Sequence, residues 1–247
     1  MIPNPELEIN SIVNSAEAAR QEYGWFKSCE ILREGLQIYP NSILLMAKLG
    51  KALRLSYKFT EAEQILRQAE SIDNSDYEVL YQLGIVLRIE GKIWDALAVH
   101  QRLMDQFPTD ANAKHIYAND QTVLGVPDKS IVILEQLISQ YPERMNYRVS
   151  YGNALNRMGR YTESITVINE VLEDNPYVVD AILALAEANM GLMQTQNWMA
   201  AATQAYQLNP ENPVANLWMH DVYLHTGELE ASFKYLQQSL TIQPNFF

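Results

Sequence analysis

Small and large apolar residues alternate with polar ones along this chain on a fixed grid. Divided into units 9–42, 43–76, 77–110, 111–144, 145–178, 179–212 and 213–246, the sequence reads Ala16, Gly50, Gly84, Ala118, Gly152, Ala186 and His220 at position 8. Position 7 reads Ser15, Leu49, Leu83, Tyr117, Tyr151, Leu185 and Met219, and position 24 reads Leu32, Leu66, His100, Leu134, Ile168, Ala202 and Leu236. Pro40, Pro108, Pro142, Pro176, Pro210 and Pro244 share the grid, with Asn74 at its vacant point. A period of about 34 residues is that of a helix–turn–helix repeat. Each unit predicts helix A at positions 2–14 and helix B at positions 17–29. Positions 4, 7, 8 and 11 fall on one face at about 100° per residue, and positions 2, 5, 6, 9, 12 and 13 fall on the other.

Local chemistry supports these boundaries. Position 15 is Gly91, Gly125, Gly159 or Gly227 in four units, where a turn out of a helix favours glycine. Asp76 and Asp110 precede helix A of their units and can cap it. Asn212 followed by Pro213 reads as an N-cap and first helical residue, and Pro127 can open a helix B. A small residue at position 8 lets two helix backbones approach closely.

The pattern resembles the tetratricopeptide repeat family. Unit 145–178 carries it best, with Tyr151, Gly152, Leu155, Gly159, Tyr161, Ser164, Ile168 and Pro176. The resemblance spans residues 9–246 and implies an all-α, right-handed superhelical solenoid of antiparallel helix pairs. It also implies that helix A lines a concave groove. Residues 1–8 read as an N-terminal extension and 9–247 as a single array. Unit 9–42 lacks a large apolar residue at position 7 and reads as a degenerate cap. Unit 179–212 has Asn189 at an apolar position, Trp198 at a small one and an early glycine, Gly191, so an irregular turn is expected there.

Composition narrows the function. The formal net charge of −12 argues against nucleic acid or an anionic membrane as partner. No apolar run is long enough to span a bilayer, and MIPNPELEIN lacks the regions of a secretory signal, so a cytoplasmic protein is expected. The single cysteine, Cys29, excludes an internal disulfide and reads as a small buried apolar residue. No phosphate loop, nucleophile elbow or H-E-x-x-H helix is present. His220 and His225 are five apart and diverge on a helix, a poor geometry for a shared metal. No cofactor, metal or catalytic residue is expected, and the chain reads as non-enzymatic.

The helix A face carries the candidate binding residues. Early units place Lys48, Lys51, Arg54 and Arg88 there, a row suited to an anionic partner or simply a solvated face balanced by Glu61, Glu63 and Glu78. Middle units place Asn112, His115, Asn119, Asn146, Asn153 and Asn156, with Arg157 beside them. Asparagine can donate to and accept from an extended peptide backbone, though it also serves as plain polar surface. Late units add Asp180, Glu187, Asp221 and Trp218, and Trp218 reads either as a partner anchor or as core.

The leading expectation is a protein–protein interaction scaffold that binds an extended peptide or partner surface in its groove, with an acidic segment as one candidate. Two alternatives stay open: the recognition part of a larger transferase- or oxygenase-type enzyme continuing past Phe247, and a self-assembling adaptor. The latter draws on Phe233, Tyr235, Leu236, Leu240, Ile242, Phe246 and Phe247 at the C-terminal end, which predict an uncovered apolar strip.

Overall fold

The computed structural model describes residues 5–243. The described chain is helical, in seven pairs: α1 (Pro5–Tyr23) with α2 (Trp25–Ile38), α3 (Ile43–Leu55) with α4 (Phe59–Ile72), α5 (Tyr77–Ile89) with α6 (Ile93–Gln106), α7 (Ala111–Val123) with α8 (Pro127–Gln140), α9 (Met145–Arg157) with α10 (Tyr161–Asp174), α11 (Val179–Gly191) with α12 (Thr195–Leu208), and α13 (Pro213–Thr226) with α14 (Leu229–Ile242). From α3 onward every helix A starts at position 1 and every helix B spans positions 17–30. The expected bounds therefore move by one residue, because the capping residue sits in the preceding turn. The first helix departs further: α1 takes in Pro5–Glu8, which the periodicity places outside the array.

The caps explain this register. Asp76 Oδ1 accepts from the Val79 amide at 2.9 Å, Asp110 Oδ1 from Ala113 at 2.7 Å, and Asn212 Oδ1 from Ala215 at 3.0 Å. Pro213 and Pro127 occupy the first turns of α13 and α8, where a missing N–H costs nothing. Between the helices, position 15 is left-handed in six units. Gly91, Gly125, Gly159 and Gly227 supply it with φ between 73° and 85°, while Tyr57 and Met193 hold φ of 59° and 57° without glycine. Unit 179–212 therefore corrects the expected irregular turn. Leu192, Met193 and Gln194 donate to Ala188, Met190 and Asn189, the same ladder that Glu90, Gly91 and Lys92 make to Val86, Arg88 and Leu87. Gly191 comes early for a packing reason: a Cβ there would run into the Tyr161 ring. Asn189 is buried and donates Nδ2 to the Leu185 carbonyl at 2.8 Å.

The chain forms two compact units, 1–113 and 114–247. Both are built by one packing rule. The position 8 residue of helix A receives the position 24 side chain of helix B in the same pair. A Cβ on Gly50 would lie 2.5 Å from Leu66, and one on Gly152 would lie 2.6 Å from Ile168; a Cβ on Gly84 would strike the His100 ring. His100 is fully buried and donates Nε2–H to the Tyr81 carbonyl at 3.2 Å, so its polar edge is satisfied. Serine at position 20 ties the two helices of a pair together, with Ser164 Oγ donating to the Gly152 carbonyl at 2.9 Å and Ser232 Oγ to His220 O at 3.1 Å.

Helix B then packs on the following helix A. In unit 1–113 this is α2 on α3 and α4 on α5; in unit 114–247 it is α8 on α9, α10 on α11 and α12 on α13. One such layer joins Ala69 of α4 to Val79 of α5, and another joins Ile168 and Val171 of α10 to Ala181 and Ala184 of α11. Trp198, where small residues stand in other units, fills the gap to Val222 and Trp218. At the last pair, Leu229 and Phe233 of α14 are each 66 % exposed. Of the expected apolar strip, Tyr235, Leu236, Leu240 and Ile242 are half-buried, and Phe246 and Phe247 lie outside the described residues.

Candidate functional site

Two surfaces differ in how they use charge. The outer, helix B side of unit 1–113 is neutralised by neighbours. Arg33 pairs with Glu61 at 2.5 Å, Lys92 with Glu63 at 2.6 Å, Arg67 with Glu63 at 2.9 Å, and Arg102 with Glu70. Burial works against ionisation of Glu63, but hydrogen bonds from Lys92 and Arg67 bring its carboxyl down to about 2.

The helix A side is different. Its residues link successive helices A through a repeated offset, position 12 of one unit reaching position 6 of the next. Arg54 Nε donates to Gln82 Oε1 at 2.8 Å, and Gln82 Nε2 donates to Glu78 Oε1 at 3.1 Å. Burial lowers the Arg54 pKa, and the Tyr81 and Glu78 side chains counter it. Burial likewise raises the Tyr81 phenol, with Arg54 and Arg88 opposing. Lys51 lies 4.0 Å from Glu78, a long ion pair, so Glu78 does balance part of the basic row, whereas Glu61 and Glu63 serve the outer side. Lys48 is half-buried, and Asn112 is exposed at the start of α7. Of the early row, then, Lys48, Lys51, Arg54 and Arg88 share one face, but Arg54 is a structural link as much as a ligand group.

Unit 114–247 carries the amide and acidic rows. His115 Nε2 lies 2.8 Å from Ser150 Oγ and 3.3 Å from Asn119 Nδ2, and its ring meets Tyr147 edge-on at 4.8 Å. Asn146 is exposed and Asn153 half-buried. Asn156 requires a correction. It is 3 % exposed and donates Nδ2 to the Ala184 carbonyl at 2.9 Å, so it occupies the position 12 link between α9 and α11 and is closed to a partner. Arg157 is exposed and 3.7 Å from half-exposed Glu187. Asp180 is exposed yet crowded, and loss of solvation raises its pKa; the same cause raises Asp221, with His220 opposing. Trp218 is half-buried and packs on Trp198, ring centres 6.0 Å apart, at the edge of two core clusters.

The remaining chemistry is structural. His220 Nδ1 is 2.7 Å from Ser232 Oγ, and His225 meets the Trp198 ring edge-on. Cys29 is buried, and that burial pushes its thiol pKa up. Among the described residues no group of three or more His, Cys, Asp and Glu could hold a metal ion, and no helix is long and apolar enough to cross a membrane.

One feature of the helix A face was missed by reading the sequence. Position 12 of the first unit is Arg20, in register with Arg54 and Arg88. Arg20 donates Nε to Glu17 at 2.8 Å and lies over the Trp25 ring at 4.9 Å. Reading position 12 down the grid would have found it.

Comparison with known proteins agrees with this geometry. A sequence model described as tetratricopeptide repeat matches residues 221–246. The sequence matches no curated protein closely enough to stand as a relative. Among solved structures, a tetratricopeptide repeat protein from Parabacteroides merdae superposes with a TM-score of 0.73 at 14 % identity, covering 96 % of this chain and 97 % of that one. A thermophilic TPR protein from Thermus thermophilus gives 0.61 at 19 % identity, over 68 % of this chain and 92 % of that one. YrrB, described as a TPR protein with an unusual peptide-binding site, gives 0.51 at 14 % identity, over 81 % of this chain and all of that one. The seven helix pairs on one grid have the fold of tetratricopeptide repeat proteins, and the last repeat, over residues 221–246, matches that family's sequence model.

Proposed function

We propose that this protein is a non-enzymatic interaction scaffold that binds an extended peptide or a partner surface along its helix A faces. The observation that carries this reading is the contrast in charge handling. Outer-surface cations are matched by close carboxylates, whereas Lys48 and Lys51 sit three residues apart on α3 with one long contact to Glu78. Like charges held together on an exposed face favour an anionic visitor. In unit 114–247, the amide groups of Asn146 and Asn153 on α9 offer donors and acceptors of their own. The peptide-binding site described for YrrB is consistent with this use of the fold.

The test is affinity capture with four proteins side by side: wild type, Lys48→Glu/Lys51→Glu, Asn146→Ala/Asn153→Ala, and an outer-surface control, Trp94→Ser. Trp94 is 71 % exposed on α6. Partners should weaken with the helix A variants by about 1–3 kcal/mol, typical of charge-assisted contacts, and persist with the control. Partners lost only with Trp94→Ser would overturn the proposal. A second reading, self-association through α14, draws on the exposure of Leu229 and Phe233. Sedimentation of wild type and Phe233→Ser over a wide concentration range tests it, and a concentration-independent monomer would exclude it.

A further inference from the structure

Between α1 and α3 the helix A face opens into a cleft of about 480 Å³, lined on one side by Asn14, Glu17 and Arg20 and on the other by Lys48 and Lys51. Its accessible apolar surface comes from half-buried Trp25 and Leu55, over the buried Leu32 and Ala52. That volume lies in the range of a pocket for a small group or a few side chains. Its origin is in the grid. Between α3 and α5 the position 12 residue, Arg54, bonds the position 6 residue of the next unit, Gln82. Between α9 and α11, Asn156 makes the same step to Ala184. Between α1 and α3 the corresponding residues are Arg20 and Lys48, two cations. They cannot bond each other, so Arg20 turns back to Glu17 and lies over Trp25, and the interval stays open.

The charge inside this opening is unbalanced. Three cations face one carboxylate. Glu17 is committed to Arg20, Lys51 has only its 4.0 Å contact to Glu78, and Lys48 has no ion-pair partner among the described residues. The field of Lys51 reaches Glu17 as well, adding to the hydrogen bond from Arg20 that lowers its pKa. A single carboxylate placed between Lys48 and Lys51 would relieve the repulsion, and Trp25 and Leu55 offer apolar surface to its neighbour in a chain. Asn14 beside them can pair with a backbone amide or carbonyl.

We propose that the α1–α3 cleft is the receptor for an acidic peptide segment, an Asp or Glu side chain held by Lys48 and Lys51 with an adjacent bulky apolar residue against Trp25 and Leu55. This rests on the scaffold reading and names the chemistry that one end of the helix A face selects. The occupant is a peptide rather than a free anion because the cleft joins cations to apolar surface, which a small inorganic ion would leave unused.

The test uses a fluorescein-labelled Glu-Leu-Glu-Phe-Glu-Leu peptide and its Gln-for-Glu counterpart, with fluorescence anisotropy as the readout. Two variants separate charge from shape: Lys48→Ala/Lys51→Ala removes the cations, and Val13→Trp fills the cleft from its α1 wall with the cations kept. Circular dichroism confirms that each stays folded. The acidic peptide should bind wild type, and roughly tenfold or more weakly to either variant. Its affinity should fall as salt rises, and the Gln peptide should bind far less well. Equal binding to the lysine variant, equal binding of the Gln peptide, complete displacement by millimolar inorganic phosphate with no effect of Val13→Trp, or no binding at all would each overturn the cleft assignment. If capture of cellular partners still depends on Asn146 and Asn153 in that case, the scaffold reading stands while the cleft inference falls.

Discussion

The intervals α1–α3 and α3–α5 occupy the same places on the repeat grid and reach opposite outcomes. In the second, arginine bonds glutamine across the gap and lysine leans toward glutamate, so side chains tie the two helices together. In the first, arginine and lysine take those two positions, arginine turns back to its own helix, and a cleft lies between α1 and α3. The packing beneath both is alike, since Leu32 and Leu66 each fill position 24 beneath Ala16 and Gly50. The lesson is that repeat architecture and binding surface are set by different residues. The inward grid fixes where helices lie, and one outward substitution decides whether two neighbouring helices share a bond or a cleft.

The comparison can be broken first from below. Gly84→Ala would push a methyl group into the His100 ring, which is fully buried and held by the Tyr81 carbonyl. Overpacking of this kind costs about 1–3 kcal/mol, to be read as a shift in the urea midpoint at unchanged m-value. A neutral result would mean that position 8 does not set the approach of the two helices.

The next test acts on the links themselves. Arg54→Ala removes the donor to Gln82, which is 2 % exposed, and should cost about 1–3 kcal/mol for a buried acceptor left without it. Arg20→Ala breaks a solvent-screened, exposed pair with Glu17 and should destabilise clearly less than Arg54→Ala. Chemical denaturation of the two variants measures both. Equal costs would contradict the distinction between a bonded and an unbonded interval.

The smallest effects concern the turns and the outer side. Met193 holds a left-handed φ of 57° while 89 % exposed, so its side chain contributes little packing to set against the strain. Met193→Gly should stabilise by about 0.5–1 kcal/mol, the steric relief exceeding the entropy of a freer chain. Thermal melting checks the sign. On the outer side, the depressed pKa of Glu63 means its contribution is present above the unfolded value of 4.5 and is lost as pH falls toward about 2. Glu63→Gln should therefore flatten the acid limb of stability between these values and leave the limb above pH 5 parallel to wild type.

Much of this architecture was legible in the chain. The spacing of small residues placed every helix pair to within a residue from α3 on, because position 8 glycines exist to receive position 24 side chains. The caps at Asp76, Asp110 and Asn212 were legible because their chemistry is local. The turn at Met193 was not, since its glycine-like conformation is imposed by helices on both sides and leaves no mark in residue type. The face was legible only in part. Asn153 and Asn156 look alike in sequence, three residues apart on a polar face, yet Asn156 lies under the next helix A and bonds its backbone. That distinction depends on the offset from position 12 to the next position 6, a contact 28 residues away that no local pattern records. Arg20 was missed for the same reason, in a first unit that looked degenerate because its position 7 is serine.

The most direct test of the central claim is amide hydrogen exchange on the protein bound to a captured partner. The account predicts slowed exchange on helices A, at α1 and α3 in one unit and α9 and α11 in the other, with α4, α6 and α12 unchanged. Protection confined to the helices B, with α1, α3, α9 and α11 exchanging as in the free protein, would contradict it.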